Sequence, residues 1–106
     1  MKNPDFLANL KYKTTEQGGR RTPATTGYRP QVKFDFTEMQ TSGYQKFFGT
    51  DKVYPGETVL AEVSILSAQF FENQLEMGME FEIREGATII GYGIIIDIMN
   101  KLLEKH

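Results

Sequence analysis

The sequence predicts an all-β fold, five or six short antiparallel strands closed into a barrel or packed as a sandwich. Three observations carry this. Apolar and polar residues alternate with period two through most of the apolar segments. Gly and Pro punctuate the intervals between them, and no segment between strands has helical spacing. With 106 residues, a single core can form without staples, so one domain spanning residues 1–106 is expected.

The first strand is predicted over residues 5–13, with Phe6, Ala8, Leu10 and Tyr12 on one side and Asp5, Asn9, Lys11 and Lys13 on the other. Residues 14–27 are rich in Thr, Gly and Arg and poor in apolar side chains, which predicts a loop longer than usual connections. The second strand starts near Tyr28, with Val32, Phe34 and Phe36 inward and Lys33 and Asp35 outward. Pro30 suits only its beginning, because proline cannot donate to a ladder. Residues 41–55 hold Gly43, Gly49 and a Pro55-Gly56 turn around Tyr44, Phe47 and Phe48, and predict at most one brief strand. Residues 57–66 alternate again through Val59, Ala61, Val63 and Ile65, as do residues 77–85 through Met79, Phe81 and Ile83. After a tight turn at Glu85-Gly86, residues 87–96 are apolar on both faces, which predicts a central strand covered from two sides. Ile98, Leu102 and Leu103 near helical spacing predict a short C-terminal helix packed on the barrel end.

Charge is nearly balanced, 14 acidic against 12 basic residues, so any contact with nucleic acid must be local. The absence of cysteine removes disulfides, thiol nucleophiles and thiolate metal sites together, and points to a reducing compartment. The first five residues lack the basic and apolar regions of a secretory signal, and the longest apolar run is far short of the ~20 residues that cross a bilayer. A soluble, cytoplasmic protein without membrane contact is expected.

Several segments match a known pattern in order and approximate spacing. Gly18-Gly19-Arg20-Arg21-Thr22-Pro23 followed by Tyr28-Arg29-Pro30-Gln31, then Pro55-Gly56-Glu57, then Phe81-Glu82-Ile83-Arg84-Glu85-Gly86 with Gly91 and Gly93 beyond, resemble the C-terminal domain, domain 3, of elongation factor Tu. The resemblance runs from about Phe6 to Ile96 and implies a six-stranded antiparallel closed barrel, here expected to stand without a GTPase domain. In that family the barrel helps to hold aminoacyl-tRNA by its T-stem backbone, and one face meets the nucleotide-exchange factor. By position, the resemblance implies RNA contacts from Arg20, Arg21, Gln31 and Gly86. Such contacts read shape rather than sequence.

This chain departs from the pattern in its charges. Arg21 stands where the family has His, Ala24-Thr25 replace a Phe pair, and Asp35 and Thr88 occupy two usually basic positions. Between Leu66 and Gly78 the chain is about four residues longer than the family pattern.

Neither a catalytic residue nor a metal site is expected. No glycine-rich loop ending in Gly-Lys-Ser or Gly-Lys-Thr occurs, so these residues carry no GTPase and call for no nucleotide or other cofactor. Asn100-Lys101 has no Asp two residues on to read a guanine. The sole histidine is the terminal His106, and Glu80, Glu82 and Arg84 form an ordinary solvated row. Arg29 is expected at the rim beside a carboxylate. Phe47, Phe48, Phe70 and Phe71 are adjacent pairs, of which one ring each can point inward, and all four are candidates for a protein interface. Two functions follow. The first is a non-catalytic module docking on a protein partner or a second copy. The second is an RNA or tRNA backbone contact through Arg20, Arg21, Gln31 and Lys33, made alone or with a separate GTPase chain.

Overall fold

The computed structural model describes residues 3–106. Six strands close a barrel in the order β1, β6, β4, β3, β7, β8, every neighbouring pair antiparallel. They are β1 (Phe6–Tyr12), β3 (Gln31–Phe34), β4 (Gln40–Phe47), β6 (Thr58–Ile65), β7 (Glu80–Glu85) and β8 (Thr88–Ile98). Two short strands, β2 (Ala24–Thr25) and β5 (Lys52–Val53), pair separately. Closure leaves the barrel strands without an unpaired edge among the described residues, which removes that route to edge-to-edge aggregation.

Alternation sets the core. Phe6, Ala8, Leu10 and Tyr12 from β1 meet Val59, Ala61, Val63 and Ile65 from β6 inside the barrel, all at most 7% exposed. At one end the rings of Phe6, Phe34, Phe71 and Phe81 form an aromatic cluster, with Phe6 and Phe81 edge to face at 5.5 Å. Gly93 makes room for it, because a Cβ there would fall 2.2 Å from the Phe81 ring.

Five expectations change. Residues 40–47 form a full strand rather than a brief one: Gln45 is polar but faces inward, where the Tyr12 hydroxyl donates to its Oε1, so polarity hid the alternation. The run at residues 87–96 is not covered from two sides. Tyr92, Ile94 and Ile96 lie on the outer wall at 41–43% exposure, and the register shifts at Leu7/Ala8 and at Ile83/Arg84 where the strand bends to close the barrel. The C-terminal helix is a single 3-10 turn, Lys101–Leu103, because Ile98 still belongs to β8. Leu103 is nevertheless buried, and Leu75 pairs with Glu104 in a parallel bridge that docks this segment on the barrel end. Phe36 lies in a turn at 42% exposure, stacked on Phe34 at 5.6 Å.

Asp5 was placed on the outer, polar side of β1, yet it is buried. Its Oδ2 accepts from the Ile65 amide at 2.7 Å and its Oδ1 from Asn100 at 3.0 Å, so the carboxylate ties the chain's beginning to its end.

Candidate functional site

The strand directions sort the loops to two opposite ends. The loops at residues 13–30 and 48–57 and the Gly86-Ala87 turn share one end, while residues 35–39, 66–79 and 99–106 share the other. The long loop expected at residues 14–27 is folded against the barrel. Gly19 donates to the Thr14 carbonyl at 2.9 Å, Thr15 Oγ1 donates to the Arg20 carbonyl, and β2 pairs with β5, burying Ala24 and Val53.

Arg20 is the centre of this end. Its guanidinium lies over the Tyr28 ring, 4.5 Å from Cζ to the ring centre, and donates to both the Tyr28 hydroxyl and Glu85. The Tyr28 hydroxyl in turn donates to Glu85. Burial, followed by that hydrogen bond, raises the Tyr28 pKa well above its ordinary value. Gln31 pairs across the sheet with Arg84, next to Glu85 and Gly86, and these residues line one cavity of about 230 Å³ with Tyr28, Arg29 and Pro30. Gly86 opens the two-residue turn with φ +62°, a conformation other residues adopt at a cost. The fold therefore brings Arg20, Gln31 and Gly86 to one place, while Arg21 is exposed beside them. Lys33 stands apart on the outer face of β3, across from Glu82.

Arg29 was expected beside a carboxylate. Its guanidinium instead lies 5.3 Å from the Tyr44 ring centre, and the aromatic face takes the carboxylate's place. Arg84 donates to Glu82 at 2.8 Å, which fits the solvated row.

The phenylalanine pairs divide. Phe47 and Phe71 are core rings at 7% and 1% exposure, so neither presents an interface; strand alternation turns one inward and the 3-10 turn at Ala68–Phe71 packs the other beneath Phe36. Phe48 and Phe70 stay outside at 45% and 64%. Phe48 sits at the end bearing Arg20 and Phe70 at the opposite one. Two further exposed groups depend on register and so were not legible along the chain. Leu60 and Ile94 flank Asn9 across the outer wall, and Phe36 and Met77 line a cavity of about 510 Å³ with Asp35, Glu76, Glu80 and Lys105.

Among the described residues no cluster of side chains could hold a metal ion, and no helix is long and apolar enough to cross a membrane. The described residues thus form a closed six-stranded antiparallel barrel with a Gly-Gly-Arg loop folded beside an Arg-Glu-Gly turn. The family model for the elongation factor Tu C-terminal domain matches residues 2–99, and the chain belongs to that family.

Proposed function

We propose that this chain is a non-catalytic docking domain, translation-related by family, that binds a protein partner through the aromatic-bearing loops at its barrel ends. The observation that carries this is the division of the phenylalanine pairs. Phe48 and Phe70 each stand exposed on a backbone fixed by a buried neighbour, so their rings are held out at little conformational cost. Exposed aromatic rings held on a rigid scaffold are the side chains that protein contacts favour.

The RNA reading has one specific observation in its favour: Gln31 and Gly86 line one small cavity, and Arg20 reaches its rim by donating to Glu85. Against it, Arg20 already has Glu85 and Tyr28 as partners, and a phosphate must compete with both. A few phosphate contacts of this kind give affinities on the order of 10⁻⁴ to 10⁻⁶ M that fall steeply with salt.

Capture of the tagged chain from its own lysate, with and without ribonuclease, followed by mass spectrometry and RNA analysis, separates the two. A defined protein recovered in both arms supports docking. Recovery of RNA that ribonuclease abolishes, with no protein remaining, overturns it.

A further inference from the structure

Resting on the protein-docking reading, we propose that the partner includes a second copy of this chain, docked head to tail. The Arg21-bearing loop of one barrel enters the acidic cavity at the far end of the next.

The two ends complement each other in charge. Outside the strands, the loops at residues 35–39, 66–79 and 99–106 carry five acidic and two basic residues, with His106 neutral. At the other end, residues 13–30 and 48–57, counting Lys52 of β5, carry five basic and three acidic residues, and Glu85 at the tip of β7 is taken up by Arg20. Of those bases, Arg20 is engaged by Glu85, whereas Arg21 is exposed beside it. Across the barrel, Asp35, Glu76 and Glu80 outnumber the single Lys105 around the 510 Å³ cavity, over Phe36 and Met77. A guanidinium on a short turn fits that mouth, since two carboxylates can share its donors while the apolar floor covers its stem.

Both ends also expose apolar side chains, Phe48 and Tyr54 at the basic one, Phe70 and Met77 at the acidic one. A partner that met only one end would leave the other pair uncovered. A second copy covers both, and an overall formal charge of −2 sets little repulsion between copies. Because the complementary patches lie at opposite ends, the contact is heterologous and does not close on itself. It therefore builds open chains whose length rises with concentration.

Sedimentation velocity over a wide concentration range, at low and at physiological salt, tests this. The expected result is a mean mass that grows beyond 12.1 kDa with concentration and grows less as salt screens the charges. Arg21→Glu and Glu76→Lys alter exposed loop residues, and circular dichroism checks that both variants fold. Each alone should weaken association at least about tenfold, the effect of about 1.4 kcal/mol at a charge contact. An equimolar mixture of the two should recover it, because each variant retains one native end and the altered ends now attract. A wild type that stays monomeric throughout, or variants that associate like the wild type, overturns the proposal. If a ribonuclease-insensitive partner is still captured, self-docking alone has failed; if nothing is captured either, the docking reading has failed with it.

Discussion

The guanidinium carbon of Arg20 lies 4.5 Å from the centre of the Tyr28 ring, and Glu85 accepts a hydrogen bond from both side chains. Arg20 and Tyr28, from one loop, thus share the distant Glu85 and pin the Gly18-Gly19-Arg20 loop to the end of β7. The pair's side chains are 20% and 43% exposed, so solvent screens it and its net worth is at most ~1 kcal/mol. Glu85→Gln should lower the midpoint of thermal unfolding by only a few degrees. The same variant should quicken amide exchange in the Thr14–Arg20 loop, as read by hydrogen–deuterium exchange.

Tyr12 and Tyr28 both have raised pKa values, Tyr12 chiefly through burial and Tyr28 through burial and then its bond to Glu85. A pKa raised in the folded state favours the protonated form there. The resulting stability is intact below the unfolded value of ~10 and is lost as pH climbs above it. Tyrosinate absorbance should therefore show an alkaline fraction that titrates late and coincides with unfolding. Tyr12→Phe and Tyr28→Phe should each remove part of that fraction.

The adjacent rings Phe70 and Phe71 should respond oppositely to truncation. Phe71→Ala empties a site packed by Phe34 and Phe36 and should cost ~3–5 kcal/mol in denaturant unfolding. Phe70→Ala should stay within about 0.5 kcal/mol of the wild type while weakening partner capture.

Asp5→Ala would leave the buried Ile65 amide and the Asn100 side chain without their shared acceptor. A loss of ~1–3 kcal/mol is expected. Faster amide exchange at Leu75 and Leu103, whose segments the same corner holds, should accompany it.

Gly93→Ala should be worse than Gly86→Ala. At Gly93 the added methyl meets the buried Phe81 ring, an overpacking cost of ~1–3 kcal/mol with a near-ultraviolet signature. At Gly86 nothing lies within 4 Å, and only the positive φ of +62° opposes it, at ~1 kcal/mol.

Period-two alternation between recognisable turns made three strands legible along the chain, expected at residues 5–13, 57–66 and 77–85 and found at 6–12, 58–65 and 80–85, and the glycine and proline motifs made the barrel family legible. The sequence did not yield β4 as a full strand, because the inward-facing Gln45, whose Oε1 accepts from the Tyr12 hydroxyl, reads as polar in one dimension. It did not yield the outward stripe of β8 either. Two register shifts and the curvature of closure decide which of its isoleucines face solvent, and neither is local. The candidate site divided in the same way. Which residue types carry charge or aromatic surface was legible along the chain. That Arg20 is engaged while Arg21 is exposed, and that Phe48 and Phe70 stand at opposite ends, was decided only when antiparallel pairing brought distant residues together.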